Sequence, residues 1–155
     1  MLQRFNKKYI LTILNEALRM GTSPRKLSIT CGLGVILGLF PMLGTTTWIC
    51  FAVAFFLRLN VVVIQLVNYL VFPLQLILII PFIKAGAFIF GLGSFPYSRA
   101  DLVEKFSSDF WGISKEVGIF LGAGVIAWIL FAVPIFLTVS YLMFRILKSR
   151  ESRLL

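Results

Sequence analysis

The segment GTSPRK at residues 21–26 combines residue types that could bind an anion at the start of a helix. Ser23 can cap the helix, and Pro24 suits its first position, where a missing N–H group costs nothing. Arg25 and Lys26 then fall in the first turn, where cations are unfavourable beside the helix dipole. A bound lipid phosphate would relieve this conflict. Alternatively, the two cations only set the topology and extend to the membrane surface.

A second candidate site lies in FPMLGTTT, residues 40–47, in the middle of a long apolar run. Pro41 and Gly44 predict a turn of the chain at this place. Thr45, Thr46 or Thr47 could cap the next helix and direct its N-terminus into the membrane interior. Such a terminus could hold an anionic head group, or it could be a structural cap without a ligand.

Three amides, those of Gln65, Asn68 and Gln75, lie inside a later apolar run. Polar groups in such runs are costly and often functional. Gln65 and Asn68 are three residues apart and share a helix face, which could meet the threonine segment. They could equally form hydrogen bonds between helices that only stabilise the bundle. Gly34 and Gly38 predict a close helix contact.

Catalytic and metal-binding groups are not predicted. The chain has no histidine, and its six carboxylates lie outside the apolar runs, so we expect a protein that is not an enzyme and has neither a metal nor a cofactor. The two cysteines lie in apolar runs and are interpreted as buried free thiols, although a disulfide between them is also possible.

The composition predicts a single-domain, all-α integral membrane protein. Of the 155 residues 59% are hydrophobic, which is well above the apolar share of soluble domains. Only 14% are charged, and long runs carry no charge at all. Residues 1–20 have the apolar spacing of an amphipathic helix, either on the cytoplasmic membrane surface or packed on the rest of the protein.

The distribution of charge predicts the topology. Residues 1–26 and the tail 145–155 contain more lysine and arginine than acidic residues, and Arg58 adds one more positive charge. In residues 84–116 the positive and negative charges are equal in number. Positive segments stay cytoplasmic, so we expect both termini on the cytoplasmic side of a bacterial inner membrane. The net charge of +9 is attributed to this topology and to anionic lipids rather than to nucleic acid.

The apolar runs predict two transmembrane helices, at 61–83 and 117–144. Residues 27–57 would be too long for one crossing at about 1.5 Å per residue and too short, once split, for two. They are interpreted as a re-entrant helical hairpin with a Pro-Gly-Thr turn. An outer loop with an amphipathic helix fills residues 84–116. Because LFP at 39–41 is echoed by VFP at 71–73, residues 61–90 could instead form a second hairpin.

The order of these motifs resembles a known bacterial family. Gly21-Thr-Ser23-Pro24, Gly34-x-x-x-Gly38, Pro41-x-x-Gly44-x-x-Thr47 and Arg58-x-Asn60 together resemble the membrane family called domain of unknown function 2062, over roughly residues 15–80. In that family an Asn-Pro-x-Thr segment typically follows. Here the corresponding residues 72–75 read Phe-Pro-Leu-Gln. The resemblance implies a small inner-membrane protein, and the joining of some relatives to glycosyltransferase domains points by analogy to polyprenyl-phosphate lipids.

Two functions are compatible with these features. The first is an oligomeric transporter or flippase-like protein for an anionic lipid or solute, with the phosphate bound by Ser23, Arg25, Lys26 and the threonine segment. The second is a non-catalytic membrane anchor or assembly subunit of a larger envelope complex. Anionic membrane lipids are the expected partners in both, together with further copies of the chain or other subunits.

Overall fold

The described part of the chain is entirely helical. The computed structural model describes residues 12–13, 15–16, 22–93, 104 and 108–154, with the backbone alone for 151–154. Four helices occupy these residues, and no strand occurs among them. The helices are α1 (Pro24–Gly38), α2 (Thr46–Phe56), α3 (Val61–Ile89) and α4 (Phe110–Leu154). The all-α prediction is therefore confirmed.

Two of the four helices are long and apolar enough to cross a membrane. They are Val61–Ile89 and, within α4, Phe110–Arg150. Only 17% and 28% of their most apolar windows is buried, whereas the core helix of a soluble protein is mostly buried. Outward-facing apolar surface of this extent is typical of helices that contact lipid.

Both long helices extend past the predicted spans. Asn60 caps α3 by accepting a hydrogen bond from the Val63 amide at 3.1 Å, and the helix then continues to Ile89. It passes through Pro73 and Pro81 without ending, so the alternative of a second hairpin at 61–90 is wrong. Helix α4 includes residues assigned to the outer loop and the basic tail.

Two predicted elements lie largely outside the described residues. In the predicted N-terminal helix at 1–20, only residues 12, 13, 15 and 16 are described, and these are helical. The surface helix expected within 84–116 falls mostly on residues that are not described.

The start of α1, the start of α3 and the last part of α4 lie together. Leu27, Cys31, Val63 and Leu147 form one buried cluster that joins these three helices. A second cluster, of Cys50, Ala54 and Ile64, packs α2 on the same half of α3. Both cysteines are free, so the expectation of buried thiols is confirmed.

Glycines let the helices approach closely, as predicted for Gly34 and Gly38. A Cβ at Gly34 would lie 3.0 Å from the Ile64 carbonyl oxygen on α3, and one at Gly38 would lie 3.1 Å from Asn68 Oδ1. A Cβ at Gly86 would collide with the backbone of Ala123. Small residues therefore bring α1 and α4 against α3.

Candidate functional site

The start of α1 has the predicted capping geometry. Ser23 is extended, with φ −62° and ψ 147°, and its Oγ accepts a hydrogen bond from the Lys26 amide at 3.3 Å. Pro24 occupies the first turn, which contains no acidic residue. Arg25 and Lys26 are both exposed. Two free cations thus lie beside the N–H groups at which a helix attracts anions.

Two buried hydroxyls support this helix end from within the bundle. Ser28 Oγ donates to the Arg25 carbonyl and Thr30 Oγ1 to the Lys26 carbonyl, each at 2.8 Å. Both side chains are buried. These hydrogen bonds satisfy the two buried hydroxyls, and Leu27 of the same turn is buried in the core. The turn that carries Arg25 and Lys26 is therefore fixed in position by its buried side.

Arg58 forms the corner between α2 and α3. The Leu59 amide donates to the Ala54 carbonyl at 2.8 Å, a Schellman closure with Arg58 in the left-handed region at φ 51°. Glycine is the usual residue at this position because a Cβ is unfavourable there. Beside Arg58 lies a cavity of about 530 Å³, lined by Ala54, Phe55, Phe56, Leu59 and Val61.

The last part of α4 contributes further cations at the same end. Leu147 packs on Leu27 and Val63, so its neighbours in α4 lie beside the starts of α1 and α3. Arg145 Cζ lies 6.0 Å from the centre of the Tyr141 ring. We call the following set the basic end: Arg25, Lys26, Arg58, Arg145, Lys148 and Arg150.

The turn between α1 and α2 is held by side chains from the two long helices. Pro41 is buried and Gly44 has φ +81°, a conformation that favours glycine. Gln75 Nε2 donates to the Phe40 carbonyl at 2.7 Å. The Ile36 carbonyl accepts a hydrogen bond from Trp128 Nε1 at 3.0 Å. Carbonyls that an unbroken helix would pair internally thus find donors in α3 and α4.

The threonines do not cap α2 as predicted. Thr45 stands at the cap position but is itself helical, with φ −88° and ψ −24°, and makes no capping hydrogen bond. Its hydroxyl instead donates to the Met42 carbonyl at 3.1 Å and closes the turn. Thr46 and Thr47 lie inside α2. The hydroxyl is directed back to the preceding turn because the backbone is already helical at Thr45, which leaves no extended cap residue.

The structure also separates the threonines from Arg25 and Lys26. The two groups lie towards opposite ends of α1, whose 15 residues rise by roughly 22 Å. One phosphate therefore does not contact both groups.

The expected contact of Gln65 with the threonine segment is present. Gln65 Nε2 donates to the Thr47 carbonyl at 2.8 Å, and Asn68 Nδ2 donates to Gln65 Oε1 at 3.3 Å. Asn68 and Gln75 are both buried. All three amides thus form hydrogen bonds within the bundle, and two of them reach the hairpin directly.

The hydrogen bond of Trp128 was not predicted from the sequence. The available signal was chemical, since an indole N–H group inside an apolar helix needs an acceptor. The partner, Ile36, could not be identified because it lies 92 positions away in the chain. The Trp128 ring also meets Phe40 edge to face, with centroids 5.1 Å apart.

Comparison with models of known protein families assigns the chain to one family. A family model described as an uncharacterized protein conserved in bacteria (DUF2062) matches residues 7–153. The chain belongs to this family. The resemblance found from short motifs is confirmed, and the DUF2062 match extends well beyond residues 15–80. No curated protein and no solved structure matches the chain. Membership of DUF2062 brings no activity with it, so function has to be argued from the site.

Metal-binding residues are not gathered anywhere in the part of this DUF2062 chain that the structure describes. No group of three or more His, Cys, Asp or Glu residues there could hold a metal ion. The side chains available to a ligand at the basic end are cations and the Ser23 hydroxyl, which recognise anions.

Proposed function

We propose that this DUF2062 protein lies in the bacterial inner membrane and binds the phosphate of an anionic lipid head group at its basic end. The observation that carries the proposal is the packing of Leu27, Val63 and Leu147, which gathers cations from three separate stretches of the chain. Lysine and arginine near a membrane surface attract anionic lipids by about 1 kcal/mol each.

The capped start of α1 supplies the contact site within this basic end. Pro24 has no N–H group, and the Lys26 and Leu27 amides already bond to Ser23. A phosphate there would accept from the Arg25 amide and would neutralise the Arg25 and Lys26 side chains. Arg58 provides a third cation at the neighbouring corner, in a backbone conformation better suited to glycine. An arginine in such a place is more easily explained by its charge than by its conformation.

The basic end is proposed to face the cytoplasm, in accordance with the charge bias of membrane proteins. The hairpin of α1 and α2 would then enter from that side and return. Its helices of 15 and 11 residues rise by roughly 22 and 16 Å, against a hydrocarbon core of about 30 Å. The bonds from Gln75 and Trp128 support this placement because they satisfy the turn carbonyls without water.

The proposed lipid class is polyprenyl phosphate. We further propose that the protein transports this lipid across the membrane. Two spanning helices and a half-length hairpin do not enclose a pathway, so transport would require several copies of the chain. We propose no catalytic role, because the chain has no histidine to act as a general base beside the cations of the basic end.

Native mass spectrometry of the protein purified in mild detergent tests the lipid site. We expect retained anionic lipid, and the double variant Arg25→Gln/Lys26→Gln should retain less of it. The matched control, Lys105→Gln/Lys115→Gln, removes the same charge from the predicted outer loop and should retain the lipid. Equal lipid retention in both double variants would overturn the proposal.

A membrane subunit of a larger complex is the second candidate function. It is favoured by the outer face of α2, where Trp48, Phe51 and Phe55 are all exposed at helical spacing. Large aromatic side chains are common at the centre of protein interfaces. Under this alternative other proteins co-purify in fixed ratio, and Trp48→Ala/Phe55→Ala releases them whereas Arg25→Gln/Lys26→Gln does not.

A further inference from the structure

A cleft opens between α3 and α4, in the half of the molecule that the hairpin does not reach. We call it the α3–α4 cleft. It has a volume of about 910 Å³, within the range of about 300–1,000 Å³ typical of ligand sites. Its walls are Ile80, Ile83, Lys84, Ala87, Phe88, Gly91 and Gly93 on the α3 side and Val117, Phe120 and Leu121 on α4.

The short hairpin explains why the cleft exists. Gln75 reaches the turn of the hairpin from the middle of α3, so α1 and α2 cover the first half of that helix. Beyond it α3 packs on α4, and the two touch closely where Gly86 faces Ala123. Two helices that pack only on each other bury one face of each. The turns of α3 and α4 next to the contact at Gly86 are therefore not covered by a third described helix.

The chemistry of the cleft is apolar with one cation. Nine of the ten lining residues have no charge, and the exception, Lys84, is exposed. A lysine stem can lie along apolar surface while its ammonium group extends towards head groups. The complementary ligand therefore has a long hydrocarbon chain and an anionic head.

We propose that the α3–α4 cleft binds one acyl chain of an anionic phospholipid, with Lys84 beside its phosphate. Lys84 follows Val63 by 21 residues, so it lies about 32 Å further along α3. The cleft therefore lies at the end of α3 opposite the basic end, and this lipid belongs to the leaflet on that side. The cleft is thus a second lipid site, independent of the one proposed at the start of α1.

Photo-crosslinking with lipids of defined charge tests the cleft. The purified full-length chain is reconstituted with phosphatidylglycerol that carries a diazirine on one acyl chain, or with phosphatidylcholine that carries the same group. Labelled peptides are mapped by mass spectrometry. We expect phosphatidylglycerol to label Val117–Leu121 at least fivefold more than Ile129, which is also exposed on α4.

Five variants separate the effect of charge from the effect of shape. Lys84→Gln should abolish the preference for phosphatidylglycerol over phosphatidylcholine, and Lys84→Arg should keep it. Leu121→Trp should fill the cleft and lower labelling by both lipids at least threefold, whereas Ile129→Trp should not. Arg25→Gln/Lys26→Gln should leave cleft labelling unchanged, so failure of one lipid site is distinguishable from failure of the other.

Three results would overturn the proposal. Uniform labelling along the exposed faces of α3 and α4 would show ordinary lipid contact. Equal labelling by the two lipids would remove the role of Lys84. Labelling of Ile129 without labelling of the cleft would show that the protein itself, or a second copy of it, fills the space.

Discussion

The indole N–H group of Trp128 in α4 donates a hydrogen bond of 3.0 Å to the carbonyl oxygen of Ile36 in the last turn of α1. The Phe40 amide, which would serve this carbonyl in a continuing helix, bonds instead to the Leu37 carbonyl at 3.2 Å. Trp128 therefore supplies the donor that the broken helix lacks. A buried carbonyl without a donor is costly, so the bond stabilises the hairpin turn.

Trp128→Phe tests this bond directly. The ring contact with Phe40 is largely kept, but the Ile36 carbonyl loses its donor, and we expect the free energy of unfolding in detergent to fall by about 1–3 kcal/mol. Trp111 is exposed on the same helix, and Trp111→Phe should change it by less than about 0.5 kcal/mol. Equal stability of the two variants would contradict the role of the bond.

Gln75→Leu tests the second tether of the turn. Leucine keeps the approximate volume but cannot donate to the Phe40 carbonyl, so we expect a loss of about 1–2 kcal/mol in the same unfolding measurement. Leu76, the next residue, is exposed, and Leu76→Ala serves as the control with a smaller loss. A stabilised Gln75→Leu protein would show that the Phe40 carbonyl finds another donor.

Gly86→Ala tests the crossing of α3 and α4. The added Cβ would collide with the Ala123 backbone, so the helices must separate and the unfolding free energy should fall by about 1–3 kcal/mol. Gly122 is the matched control because a Cβ there meets nothing within 4 Å. Gly122→Ala should be neutral or stabilising by up to about 1 kcal/mol through helix propensity.

Arg58→Gly separates conformation from charge. Glycine suits the left-handed backbone at φ 51°, so stability should stay the same or rise by up to about 1 kcal/mol. Lipid retention in native mass spectra should nevertheless fall, since one cation of the basic end is gone. A variant that loses stability and keeps its lipid would show that Arg58 has a structural role instead.

Thiol labelling in intact cells tests the proposed orientation. Cys31 and Cys50 are both buried, so they should give little background with an impermeant maleimide. Ser108 and Ser149 are exposed positions on either side of the predicted second crossing. We expect Ser108→Cys to react from outside and Ser149→Cys to react only after lysis. External reaction at residue 149 would show that the second crossing has the opposite orientation or does not exist.

Patterns of residues close together in the chain were sufficient to predict the two long helices and to identify the family. Long uncharged runs predicted two helices that are able to span a membrane, because crossing requires only length and apolarity. The Ser23–Pro24 cap was also predictable, since both capping partners lie within one turn. Spaced motifs from Gly21 to Asn60 identified DUF2062, which the family model then confirmed over 7–153.

Contacts between distant residues decided the rest. Thr45 follows the local rules for a cap, yet the path of the turn made its backbone helical and directed its hydroxyl to Met42. The donors to Ile36 and Phe40 come from α4 and α3, and no local pattern connects such pairs. The α3–α4 cleft likewise depends on how far a packed hairpin reaches along its neighbour. Local chemistry determines which helices form, whereas packing determines which polar groups meet and which surfaces stay open.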